Sequence, residues 1–365
     1  MESTASLCAP PGERAGRGLI GHAAGSLLRP GVACLPAAMT SLSPSAAPLA
    51  TPLPGGADAA ARERRIGWLC AFLVLLIWLA FQISGRLSVR QALTPWDVAA
   101  LRYIGAFLGV LPLVTWRGLP RLKPRRAGVL VALSAFGFPL GAYVGFSLAP
   151  VAHGAVILFG GLPIATALFG AGLFRLRVPR SQLAVLPVIA AGIVLTGIDS
   201  GAGAVAAGAW RGDLAFLLAV GCLATFTLLL RRWAIPALDA MITLSLWGAP
   251  LYLPVWWLAL PSRLAEAAPG AAIYQMIVQG PVTAVAAMFL YSRAVNALGS
   301  GPPTLVAALV PGLASVLAWR LLGEPLGRAG IAGVALATMG MVAGVLGPRL
   351  ARQAPPRLAV ARHRS

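Results

Sequence analysis

Runs of about 20 apolar residues recur ten times along this chain, separated by short segments carrying Pro, Gly and Arg. A run of that length crosses the ~30 Å hydrocarbon core of a bilayer as one helix. Lipid offers no hydrogen bonds to a backbone, so a segment that crosses it must satisfy its own peptide groups. The spans fall at roughly 66–86, 95–116, 127–148, 153–174, 181–199, 213–231, 239–260, 271–292, 301–322 and 328–347. Composition closes the soluble alternative. Of 365 residues, 58% are apolar and 11% charged, with a mean hydropathy of +0.83. A soluble protein carries about a quarter of its residues charged. The chain reads as an all-α polytopic membrane protein.

The net charge of +19 would in a soluble domain raise nucleic acid as a partner. Here the cations gather in short loops, without aromatic residues interleaved on a polar surface, and nucleic acid is not expected. With both termini on the cytoplasmic side, 19 Lys and Arg residues near the membrane fall inside and six outside. The inner set includes Arg62, Arg64 and Arg65, then Arg117 to Arg126, and the closing run from Arg349. That asymmetry sets orientation in membrane proteins. The expected location is a cytoplasmic or inner membrane, with lipid as an obligatory partner.

Residues 1–61 are rich in Ala, Pro, Gly and Ser, and read as a disordered extension. Met39 offers an alternative start within it. Residues 348–365 form a basic cytoplasmic tail. Cys8, Cys34, Cys70 and Cys222 show no paired spacing, and no disulfide framework or redox motif follows from them. His22, His153 and His363 fall in one tail, at a span end and in the other tail, and are not expected to build a metal or catalytic site together. No cofactor or metal is implied.

Residues 62–199 and 200–347 each hold five spans. Placing Pro163 on Pro311, an offset of 148, needs no gap across spans three to five and eight to ten. Tyr143 then meets Tyr291, Leu173 meets Leu321, Arg180 meets Arg328, and Gly192 meets Gly340. An odd number of spans per half turns the second half over in the membrane. The expected architecture is therefore two inverted five-helix repeats, a plan of secondary transporters that bind cargo between the halves.

Several stretches carry a family likeness. Leu93-Thr94-Pro95 is followed by Leu101-Arg102-Tyr103 in span two, and Gly212-Asp213-Leu214 opens span six. Tyr291-Ser292-Arg293-Ala294, Leu309-Val310-Pro311 and the corner Leu322-Gly323-Glu324-Pro325 follow in order. Together they resemble the drug/metabolite transporter superfamily, and within it the EamA-type ten-helix exporters, over Ile66 to Leu346. The resemblance implies export of a small metabolite, amino acid-like, or of a drug-like compound. This chain departs from the family pattern at Leu176, where the first half lacks the acidic corner, and at Leu79, Ala80 and Phe81 after Trp78.

Polar groups in apolar runs are costly and become candidates by default. Arg102, in span two, could meet a cargo carboxylate, or bond helix carbonyls. Gln82 and Gln279 fall deepest, and either line the cavity or bond between helices. Trp78, Tyr143 and Tyr291 are candidate aromatic walls. Pro163 and Pro311 bend spans four and nine at matching places, as hinges or static kinks. Glu324 is expected to cap the N-terminus of span ten, with proton relay the sharper alternative. His153 reads as an interfacial residue or, less simply, a pH-dependent gate. No Walker pattern accompanies these residues, and no acid sits at midplane depth. The expected function is a secondary transporter working by alternating access, not an enzyme, with a homodimer left open. A non-transporting sensor or scaffold is the alternative, and an intramembrane enzyme the more distant one.

Overall fold

The computed structural model describes residues 56–199 and 208–353. Met39, Cys8, Cys34 and most of both expected tails lie outside the described residues. At the two inner boundaries of those tails the chain is helical, from Gly56 onward at one end and as far as Gln353 at the other.

Ten helices are long and apolar enough to cross a membrane. They are α1 (Asp58–Arg90), α2 (Pro95–Arg117), α3 (Pro124–Leu148), α4 (Val151–Gly172) and α5 (Arg180–Gly197). The second five are α6 (Ala209–Trp233), α7 (Ala237–Ala259), α8 (Pro269–Leu298), α9 (Gly301–Leu322) and α10 (Arg328–Gly347). No strand occurs among the described residues. The outward faces are strongly apolar: Leu69, Phe72, Leu108, Leu168, Leu218 and Trp257 are all exposed. In water that surface would drive aggregation; in lipid it is the solvated face. The chain is a multi-pass membrane protein.

Helix neighbours follow a regular scheme. α1 lies along α8, α2 along α7 and α8, α3 and α4 along α6, and α5 along α10. Exchanging each helix for the one five places further on maps these pairs onto one another. α1–α8 becomes α6–α3, α1–α9 becomes α6–α4, and α2–α8 becomes α7–α3, all of which are packed.

The irregularities of the helices repeat in the same way. In α3, Val131–Gly137 is π-helical; in α8, Val278–Ala286 is π-helical. At the 148-residue offset the first segment maps onto 279–285, inside the second. Prolines explain both. A proline inside a helix removes one N–H and clashes with the carbonyl four residues back, and a widened turn relieves the clash. Pro139 stands four residues after Ala135, whose carbonyl accepts the Tyr103 hydroxyl instead. Pro281 lies within the α8 segment itself. In α4 the π turn Val156–Gly160 precedes Pro163, and in α9 the helix breaks at Leu309, just before Pro311.

Connections repeat too. The turn between α1 and α2 contains Ala92 at φ 59°, and the turn between α6 and α7 contains Ala234 at φ 50°. After α4 comes Arg175 at φ 53°, and after α9 comes Gly323 at φ 63°, again 148 residues apart. Gly323 closes α9 in the left-handed conformation that glycine takes without penalty.

α2 and α8 cross backbone to backbone. A Cβ on Gly280 would lie 2.6 Å from Cα of Gly105, and a Cβ on Gly105 would collide with the Met276 carbonyl oxygen. Both backbones approach where neither can carry a side chain. Replacing Gly105 by Ala is expected to overpack this crossing and destabilise the bundle by ~1–3 kcal/mol. Gly128→Ala, with open space around its Cβ, is expected to leave the detergent melting temperature unchanged. A thermal melt of the two variants checks both.

Candidate functional site

The π-helical turn of α8 presents Gln279 to α2 and α3. Its backbone carbonyl accepts Nη1 of Arg102 at 2.8 Å, and its side-chain Oε1 accepts the Tyr143 hydroxyl at 3.0 Å. Gln279 and Tyr143 are buried and Arg102 half-buried. Arg102 also lies close enough to Tyr143 for its charge to act on the phenol. Three of the sequence candidates, from three different helices, thus form one cluster. Two of its features are unresolved. The Gln279 Nε2 group is buried with no hydrogen-bond partner, and Arg102 pairs with no carboxylate among the described residues. The site accordingly offers donors and one positive charge, and no base. That is the complement of an acceptor-rich or anionic group.

A second arrangement runs along α1. Trp78, Gln82, Arg86 and Arg90 follow one another at four-residue spacing and so share a face. Trp78 is half-buried and stands edge-on to Phe159 of α4, with centroids 5.5 Å apart, and 5.7 Å from Tyr291 of α8. The two tyrosines matched by the repeat therefore serve different surroundings: Tyr143 bonds to Gln279, while Tyr291 flanks Trp78. One turn on from Trp78, Gln82 is 0% exposed, and neither end of its amide has a partner. Arg86 donates Nε to Glu324 at 2.6 Å and Nη1 to the Phe146 carbonyl at 2.7 Å. Arg90 donates to the Leu322 carbonyl.

Glu324 does not act on span ten. Its Oε2 accepts the backbone N–H of Val151 at 2.9 Å, at the start of α4, while Oε1 holds Arg86. The cap is made, but on another helix, because the Gly323 turn directs the carboxylate across the bundle. His153 is also placed differently from an interfacial residue. It is buried, with Nδ1 2.9 Å from Oδ1 of Asp213 on α6. Pro163 and Pro311 sit just past the irregular turns of α4 and α9; Pro163 is about one helical turn from the Trp78–Phe159 contact, and Pro311 lies at the opposite end of its helical segment from the Glu324 corner.

Some polar groups were not singled out from the sequence. Gln275, one turn before Gln279, accepts Ser84 at 2.7 Å and donates to Gln91 at 2.7 Å. Its four-residue spacing from Gln279 was the available signal. Asp97 is fully buried and accepts the Trp256 indole at 3.1 Å, Ser262 at 2.6 Å and the Arg263 backbone at 3.0 Å. It also closes a capping box with Thr94, a motif readable in Thr94-Pro95-Trp96-Asp97. Asp97 fixes the α7–α8 loop to the start of α2.

No protein-family model matches the chain, and no curated protein matches it. Solved structures do match. One crystal structure is 21% identical, covers 78% of this chain and 98% of its own, and superposes with a TM-score of 0.55. At that identity the likeness speaks for the fold alone.

Burying a polar group without a partner costs ~1–3 kcal/mol. Gln82→Met keeps the shape and removes both orphaned atoms, so it is expected to raise the melting temperature in detergent by a few degrees. A fall on that substitution would reveal a hidden partner for Gln82.

Proposed function

We propose that this chain is a secondary carrier of a small organic solute, working by alternating access between two inverted five-helix halves. The observation that carries the reading is the Arg102–Tyr143–Gln279 cluster, where a cation with no carboxylate partner among the described residues and an amide Nε2 with no acceptor lie among three helices. A cation held in an apolar bundle is costly unless something pairs with it, and a cargo that comes and goes is a partner of that kind. The repeat of helix breaks and left-handed corners at matching places supports the inverted plan, in which cargo binds near the midplane between the halves. Trp78, Phe159 and Tyr291 provide an apolar wall for the organic part of such a solute. The resemblance to EamA-type exporters favours export, across a cytoplasmic membrane with both termini inside, and a small metabolite or drug-like compound as cargo.

The test compares cells expressing the intact chain, the Arg102→Gln variant or neither, with metabolites measured in medium and cytosol. A solute is expected to accumulate outside only with the intact chain. Loss of a charged hydrogen bond is worth ~1.5–3 kcal/mol, so Arg102→Gln should slow that efflux by about tenfold or more, with expression and melting temperature retained. Movement of no solute in either direction, from a panel of metabolites and toxic organic compounds, overturns the carrier reading.

A further inference from the structure

Gln82 is buried on the side of α1 that packs against α4 and α9. At 3.6 residues per turn, Gln82 falls within the arc of α1 bounded by Trp78 and Leu79. Leu75 and Leu79 in that arc pack into one apolar cluster with Val151 and Ala155 of α4 and Val310, Ala314, Ala318 and Leu322 of α9. One turn below Gln82, Trp78 meets Phe159 of α4; one turn above it, Arg86 meets Glu324 at the end of α9. The amide therefore lies beneath the segment Val310–Leu322, facing side chains that offer it no hydrogen bond.

That segment is attached unlike its neighbours. Its lower end is the break at Leu309, followed by Pro311. Its face toward α1 and α4 is mostly alanine and valine, without a glycine crossing of the kind that joins α2 to α8. The nearest atom to a Cβ built on Gly312 is 3.7 Å away. Its upper end is held by polar contacts: Arg86 and the Val151 N–H on Glu324, and Arg90 on the Leu322 carbonyl. A stiff piece with a broken helix at one end and exchangeable hydrogen bonds at the other can move as a unit.

We propose that Val310–Leu322 is a gate that hinges at Leu309–Pro311 and is latched by Glu324, and that the group it covers, Gln82, is a recognition point for a cargo group that both donates and accepts hydrogen bonds. The inference rests on the carrier reading for its purpose, but its geometry stands apart from it. Glu324 is then a positioning residue: it touches no cargo, and it decides when Gln82 can.

The test uses the full chain in lipid nanodiscs, with its cysteines replaced and a single Cys introduced as Gln82→Cys. The probe is a small polar methanethiosulfonate, and the readout is the labelling rate. Glu324→Gln removes the charge that holds Arg86, so labelling at position 82 is expected to accelerate about tenfold, the population shift that follows loss of one charge-assisted hydrogen bond. In a parallel protein whose single cysteine is the native Cys70, buried in the same helix about three turns before position 82, the rate is expected to stay slow. Arg86→Gln opens the same latch from its other side and replaces Glu324→Gln should that variant fail to fold. Equal rates at position 82 with and without the latch overturn the gate. Acceleration at Cys70 as well overturns it too, since the whole bundle would then have loosened. A latch that opens in a chain that moves no solute keeps the gate and removes the carrier, and with it the cargo role of Gln82.

Discussion

Every peptide group that lies in lipid must find its partner within the protein, and this constraint arranges the rest of the molecule. Most of the answer is the α-helix itself. The remainder arises where prolines enter helices and free carbonyls that lipid cannot satisfy. Here those carbonyls are taken up by side chains from neighbouring helices. Tyr103 answers Ala135 ahead of Pro139, and Arg102 answers Gln279 in the widened turn around Pro281. The prolines thus create the need that draws polar side chains inward. The candidate site is a by-product of breaking helices in a medium that penalises breaks.

Polar contacts are unevenly distributed along the bundle. The end that holds Glu324 carries the Asp97 hub, the His153–Asp213 pair, the Arg86–Glu324–Val151 bridge and the Asp199 carboxylate on the Gly327 N–H. The opposite end has Arg293 on Glu63, and Arg117 at 3.9 Å from Asp239. Among the described residues, one end is cross-tied between distant helices by hydrogen bonds, while the other carries fewer such ties.

Much of the fold was legible in the letters because span length, loop charge and proline position each have a direct physical consequence. The ten spans follow from run length alone, and their ends differ from the expected ones by a few residues, chiefly where α1 and α8 extend past the apolar core. The site was legible in part. Gln82, Gln279 and Arg102 stand out because they are expensive where they are. Their partners did not stand out, since Tyr143 bonding Gln279 is a matter of helix rotation that hydropathy does not encode. Glu324 accepts the first N–H of α4 rather than of the helix that follows it, because a sequence shows neighbours along the chain and the Gly323 turn makes neighbours across it. His153 was read as solitary for the same reason: Asp213 is 60 positions away and adjacent only after folding.

The four left-handed corners have a consequence for how the two halves are compared. Ala92 and Ala234 have similar φ, as do Arg175 and Gly323, while the residues around them share few identities. Arginine and alanine have no chemical reason to prefer that conformation, so at three of these corners the geometry has outlasted the residue best suited to it. The two halves agree in these dihedral angles where they differ in amino acids. An alignment scored on turns would pair the halves where one scored on letters would find little to match.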